Sequence, residues 1–423
     1  MPRYHIWTIG CQMNRADSER IARCLEGMGY APGESAEEAD VIVLNSCVVR
    51  QGAEDRVVGR LGSLKGLKRE GGHPVIALTG CMVDSATDEL TRRFPHVDLF
   101  FPPQDVAALW RFMVGRGLAA QGAGPVFAAD PPRPSVFVPI VHGCNEFCAY
   151  CIVPYRRGRE QSRPLADIVC QVAGLAASGT REVVLLGQNV NVYGRDLPGR
   201  PRLSQLLEEL NAIPGLARIR FLTSHPRDTD DDLVAAVARL DKVCEHMSLP
   251  VQAGDDQILQ AMGRRYTVAY YRDLVGRIRG AIPHVALSTD VIVGFPGEGQ
   301  EQFARTYDLL RELRLDSVHV ACYSPRPQTR AARELADDVP PDEKERRRQA
   351  IEGLQEGIAA ARNRGLVGER VEVLVEGCKR GKWWGRTRSD RLVFFPDDAD
   401  RLGHLVEVEV TGAGPWSLQG RVL

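Results

Sequence analysis

The sequence contains no uninterrupted apolar run of membrane-spanning length, so it signals no transmembrane helix and no membrane partner. It has no excess of either charge: 54 Lys and Arg stand against 55 Asp and Glu, a net charge of -1. Overall charge therefore names no polyanion partner, and any nucleic-acid contact must come from a local patch. No apolar signal run follows Met1-Pro2-Arg3, and the expected location is the cytoplasm. The eleven cysteines do not form a secreted disulfide framework, because several, such as Cys322, stand alone in apolar strand-like stretches. Nothing signals an obligate dimer, so a monomer is expected. What is present suits a globular chain: 423 residues are enough for two or three domains with their own cores.

Cys144, Cys148 and Cys151 lie in the run Gly143-Cys144-Asn145-Glu146-Phe147-Cys148-Ala149-Tyr150-Cys151. Thiolates this close can grip one metal centre from a single loop. A four-iron cluster usually takes four thiolates. Three leave one iron open, as catalytic metal sites keep a position for substrate. Zinc completed by His142 is the alternative reading of the same loop.

The organisation reads as α/β with a different carboxy-terminal domain. Up to about residue 125, the strand-like runs Tyr4–Ile9, Val41–Asn45 and Val75–Thr79 each lead into a helix-like stretch, the pattern of a parallel sheet. Cys11, Cys47 and Cys81 each sit two residues past one of these runs. Loops at the carboxyl ends of parallel strands converge on one edge, so these three are expected to meet and hold a second cluster. Three unrelated buried cysteines are the alternative; Cys24, inside a helical stretch, reads as packing.

Residues 119–134, rich in Ala, Gly and Pro, read as a linker. From 135 to 363, six strand–helix units point to a full or partial (β/α) barrel with its site at the carboxyl ends of the strands. Its strands are expected at 136–141, 182–186, 218–222, 246–249, 286–293 and 317–321. From 364 to 423, short strands suggest a small antiparallel β-barrel. Between two of them, Lys379, Arg380, Lys382, Trp383, Arg386 and Arg388 mix basic and aromatic side chains. That mixture suits RNA phosphates and bases, with a solvated hairpin over packed tryptophans as the alternative.

With both cysteine sets placed, the chain resembles the methylthiotransferases, radical S-adenosylmethionine (SAM) enzymes that insert sulfur and a methyl group at an unreactive C–H bond. The motifs are Asn45-Ser46-Cys47-Val48-Val49-Arg50, Leu249-Pro250-Val251-Gln252, Thr289-Asp290-Val291-Ile292-Val293-Gly294-Phe295-Pro296-Gly297-Glu298 and Tyr323-Ser324-Pro325-Arg326-Pro327. Leu186-Gly187-Gln188-Asn189-Val190-Asn191-Val192-Tyr193-Gly194 and the run from Cys151 to Glu160 resemble the branch acting on N6-isopentenyladenosine in tRNA. Two departures are Gln328, where the family often has glycine, and Val83-Asp84 after Cys81-Met82.

The resemblance implies an amino-terminal domain with an auxiliary cluster, a central radical SAM partial barrel and a carboxy-terminal TRAM barrel. It implies two four-iron, four-sulfur clusters, one on Cys144, Cys148 and Cys151 and one on Cys11, Cys47 and Cys81, with SAM as cosubstrate. Tyr150, Gly187, Gln188, Asn189, Gln252, Val293 and Gly294 are its expected SAM contacts. Arg156, Arg157 and Arg159 are expected to meet phosphates of the tRNA anticodon stem-loop, with carboxylate pairing as the alternative. An electron-donor protein and a sulfur or iron–sulfur cluster donor are the further expected partners. The alternatives are a methylthiotransferase for threonylcarbamoyl-adenosine or a ribosomal-protein aspartate and, in a different class, a non-enzymatic RNA-binding iron–sulfur protein.

Overall fold

The computed structural model describes residues 1–48, 51–68, 74–83, 87–122, 124–129 and 132–423. Val49, Arg50 and Asp84 lie outside the described residues. The chain forms two compact units. One comprises Met1–Pro131 with Gly143–Asn145 and Cys151–Arg159; the other comprises Pro132–His142, Glu146–Tyr150 and Glu160–Leu423.

The first unit is built on five parallel strands: β1 (Arg3–Thr8), β2 (Ala31–Pro32), β3 (Val41–Ser46), β4 (Val75–Gly80) and β5 (Leu99–Phe100). Their order is β2-β1-β3-β4-β5. Every residue of β3 and β4 is buried, as expected of a parallel sheet covered on both faces. Alternation sends Ile42, Leu44, Ile76 and Leu78 into one core, beneath the helix Gln51–Leu64. Val41, Val43, Val75 and Ala77 enter the other, beneath the helices Gln12–Gly27 and Val106–Gly115. Cys24 is packed in that second core.

The second unit carries six strands that pair in parallel: β6 (Ser135–Pro139), β9 (Glu182–Leu186), β10 (Arg218–Phe221), β11 (His246–Ser248), β12 (Ala286–Val293) and β13 (Ser317–Cys322). Between β6 and β9 lie β7 (Val141–His142) and β8 (Gln161–Ser162), which pair only with each other. Pairing follows chain order within β6-β9-β10 and within β11-β12-β13. A single parallel bridge, Ile219 to Val243, joins β10 to the approach to β11. Among the described residues no ladder joins β13 back to β6, so the arc is a partial barrel.

The same unit ends in a closed barrel, ordered β14-β15-β16-β18-β17. Its strands are β14 (Arg370–Lys379), β15 (Lys382–Thr387), β16 (Leu392–Phe395), β17 (Leu405–Ala413) and β18 (Leu418–Val422). Two points correct the sequence reading. The basic stretch is a tight tip at Arg380-Gly381 followed by a full barrel strand, and β16 pairs with β18 in parallel. Two arginines of β10, Arg218 and Arg220, fasten this barrel to the arc. Arg218, fully buried, donates to the Glu372 carboxylate (2.7 Å) and the Arg386 carbonyl (2.7 Å). Arg220 donates to the carbonyls of Thr387 (3.1 Å) and Arg388 (3.0 Å).

Candidate functional site

In the first unit, Cys11, Cys47 and Cys81 stand at the carboxyl ends of β1, β3 and β4. Asn14 ties these ends together. Its amide donates to Asn45 Oδ1 (3.0 Å) and the Ser46 carbonyl (2.8 Å), and its Oδ1 accepts from the Cys11 thiol (3.4 Å). Cys81 N–H donates to that same Ser46 carbonyl (2.9 Å). Gly80 permits this approach: its φ is +92°, and an added Cβ would lie 2.3 Å from Ser46 O.

Burial pushes the Cys81 thiol up, while the Arg157 guanidinium beside it pulls the other way. Arg157 donates through Nε to Cys81 Sγ (3.4 Å) and through Nη2 to Asp17 (3.0 Å) and Asn14 (3.2 Å). This buried arginine is therefore not a phosphate contact, which corrects the sequence expectation. Ile152, just past Cys151, packs in the same core as Cys81.

In the second unit, Cys148 is buried and accepts from Arg264 Nη1 (3.5 Å). Arg264 is held in turn by the Tyr266 hydroxyl (3.0 Å) and the Pro250 carbonyl (2.8 Å). Tyr150 is partly buried against the arc's core. Gly187, Gln188 and Asn189 follow β9. Asn189 donates to Asp228 (2.8 Å) in the turn after β10 and caps the turn that follows it in its own loop. Two buried acceptors at neighbouring strand ends, Gln188 Oε1 and Ser224 Oγ, have no hydrogen-bond partner.

Thr223 and Gln252, past the ends of β10 and β11, both take left-handed backbone (φ +70° and +72°), a strain that gathers at functional sites. Val293 is fully buried in the core, and the Lys344 stem fills the space a Cβ on Gly294 would need. Gln328 also takes positive φ (+76°), the conformation that explains a glycine preference there.

Sequence reasoning missed Asn14, Asp17, Arg264 and the His225–Asp228 pair. Burial, with Arg264 near, pushes His225 down to about 3. Arg227 N–H donates to its Nδ1 (3.3 Å), so at neutral pH the ring is neutral and carries its hydrogen on Nε2. A Ser-His-Pro-x-Asp run after a strand was the available signal.

The RNA candidates on the closed barrel divide. Lys379, Arg380 and Lys382 are exposed at the β14–β15 tip. Trp383 packs against the barrel core and donates to the Asp397 carbonyl (3.1 Å), so it is not a stacking platform. Arg388 is clamped by both Glu245 oxygens (2.7 and 2.8 Å), and Arg386 pairs with Asp390 (3.3 Å) and Glu376 (3.6 Å). Both arginines are thus held by carboxylates of the fold. Arg159 is exposed and Arg156 half-buried.

Among the described residues no cysteine is tied up in a disulfide, and the strand-end trio and the short loop each offer three sulfur donors, the ligand type an iron–sulfur cluster takes. Among the described residues no group of three or more His, Cys, Asp or Glu forms a ready-made cage for a single metal ion. The donor set fits an iron–sulfur group, and the unpartnered acceptors at the strand ends fit a polar cosubstrate.

An open parallel arc with a three-cysteine loop after its first strand, joined to a small closed barrel, is the architecture of a radical SAM enzyme. Three family models match: "Uncharacterized protein family UPF0004" over residues 3–102, "Radical SAM superfamily" over 138–310 and "TRAM domain" over 364–423. Among solved structures, the radical SAM methyltransferase TsrM from Kitasatospora setae, with cobalamin and a four-iron, four-sulfur cluster bound, aligns with a TM-score of 0.55. That alignment has 13% identity and covers 78% of this chain and 74% of that one.

A tRNA-2-methylthio-N(6)-dimethylallyladenosine synthase from Dehalococcoides mccartyi strain CBDB1 is 50% identical, covering 100% of this chain and 99% of its own. One from Chloroflexus aurantiacus is 48% identical, covering 99% and 91%. The chain belongs to the tRNA-2-methylthio-N(6)-dimethylallyladenosine synthase family.

Proposed function

We propose that the protein adds a methylthio group to C2 of N6-isopentenyladenosine beside the anticodon of tRNA, using SAM and two four-iron, four-sulfur clusters. The observation that carries this is 50% identity along the whole chain to a synthase named for that product. Cys144, Cys148 and Cys151 would hold one cluster, and Cys11, Cys47 and Cys81 the other. When bound, these groups supply the electron that splits SAM and the sulfur that is transferred.

The chain's own residues do the rest. Arg264 fixes the Cys148 sulfur, and Gln188 and Ser224 offer acceptors to SAM at the strand ends. Gln252, Gly187 and Tyr150 line the same carboxyl-end region of the arc. Lys379, Arg380 and Lys382, with Arg156 and Arg159, would meet RNA phosphates. We assign residues 1–125, 135–363 and 364–423 to the three domains. A cytoplasmic setting, an electron-donor protein and a sulfur or cluster donor complete the proposal. Among the described residues no helix is long and apolar enough to cross a membrane.

The test is anaerobic turnover of the reconstituted protein with reductant, SAM and an isopentenylated anticodon stem-loop, followed by nucleoside mass spectrometry. The 2-methylthio nucleoside is the expected product. SAM cleavage with an unchanged nucleoside would move the substrate to threonylcarbamoyl-adenosine or a protein aspartate. No SAM cleavage with both clusters intact would favour a non-enzymatic RNA-binding protein.

A further inference from the structure

Arg157 sits six residues past Cys151, yet its side chain is spent on the strand-end cysteine site. Its side chain is 2% exposed and that of its partner Asp17 is 5% exposed. One edge of the guanidinium is used: Nε on the Cys81 sulfur, Nη2 on Asp17 and Asn14. Asn14 Oδ1 also accepts from the Cys11 thiol, so the arginine reaches two of the three cysteines, one directly and one through a shared acceptor. The remaining nitrogen, Nη1, is buried and has no hydrogen-bond partner. Buried guanidinium nitrogens rarely stay unpaired, and this one stands beside a site whose expected occupant is rich in sulfur acceptors. Nor does one carboxylate explain the whole cluster, since a structural Arg–Asp pair needs no cysteine sulfur against Nε.

We propose that Arg157 is a positioning residue for the auxiliary cluster. Its guanidinium holds the Cys81 sulfur and sets the charge around that cluster, while Asp17 and Asn14 hold the guanidinium. This rests on Cys11, Cys47 and Cys81 being the ligands. Three thiolates, two of them on the buried Cys47 and Cys81, bring three negative charges together, and a cation against one of them favours each further electron the cluster takes up. The segment that follows the short cysteine loop thereby supplies a part of the other cysteine site.

The test uses the full-length chain with Cys144, Cys148 and Cys151 all changed to Ala, so that only the auxiliary cluster can be loaded. Iron and sulfide content, the paramagnetic resonance spectrum of the reduced form and the midpoint potential are compared in this parent, in Arg157→Lys and in Arg157→Gln with Asp17→Asn. The double variant leaves no unpaired buried charge, so its fold is expected to survive, checked by circular dichroism and thermal melting.

The expected result is a cluster in all three, a potential shifted negative with an altered spectrum in the double variant, and a smaller shift with Lys. In the otherwise native chain, the double variant should lose methylthio product while still forming 5′-deoxyadenosine. A parent that binds no cluster overturns the ligand reading and this inference together. A loaded parent and a loaded double variant with the same potential and spectrum overturn this inference alone.

Discussion

A single thiolate decides each half of the proposed chemistry. Cys148→Ala is expected to abolish SAM cleavage, read as loss of 5′-deoxyadenosine. Cys47→Ala is expected to spare cleavage and stop sulfur insertion. Full methylthio product from the Cys47 variant would remove the auxiliary-cluster role. Arg264 belongs to the same scale. It is buried between the Cys148 sulfur, the Tyr266 hydroxyl and the Pro250 carbonyl, so truncating it removes the donor on the Cys148 sulfur, while Tyr266 still donates to the Pro250 and Val251 carbonyls. Arg264→Met should lower the iron retained by the short cysteine loop more than it lowers helix content. Equal losses would make it a purely structural residue.

Among the elements, the strand ends of the first unit are the most exacting. Gly80→Ala would force a side chain into left-handed backbone, at about 1–3 kcal/mol, before the clash with Ser46 is added. Urea melts should show that loss, and an unchanged midpoint would mean the loop relaxes freely. Most elements were legible in the sequence. Three successive strand–helix units placed Cys11, Cys47 and Cys81 at like positions, and β9 and β12 have the bounds their apolar runs imply. The strand β15 was not legible. Two tryptophans, a glycine and alternating charges look like a turn, whereas in a closed barrel every second residue faces outward and carries charge at no cost to the core. The partners of Arg157 were hidden for another reason. Sequence shows a charge but not its counter-ion, and Asp17 is 140 residues away along the chain.

At the scale of the molecule, two properties should respond to solvent. Burial pushes His246, at the start of β11, from 6.5 down to about 4. The unfolded chain then binds a proton that the folded chain refuses, so stability is full above about pH 6.5 and falls as pH drops towards 4. His225 adds to this with the same sign. Denaturant melts at pH 7 and pH 5 measure it, and His246→Gln should flatten the difference. RNA binding should weaken with salt. Changing Lys379, Arg380 and Lys382 to Ala should reduce the log–log slope by about 0.7–0.9 for each phosphate that these side chains neutralise. An unchanged slope would place the RNA elsewhere.

The pair Arg218 and Arg220 bears on which RNAs are worth binding. They pin the closed barrel to the amino-terminal ends of the arc's strands, whereas Gln188, Ser224 and Gln252 lie past the carboxyl ends. The four residues of β10 span roughly 13 Å between the two. The grip of the barrel therefore adds to binding only for a polymer long enough to engage both ends at once, and a free nucleoside gains nothing from it. Under the proposed function, this docking would make the second unit a ruler that selects substrates by reach.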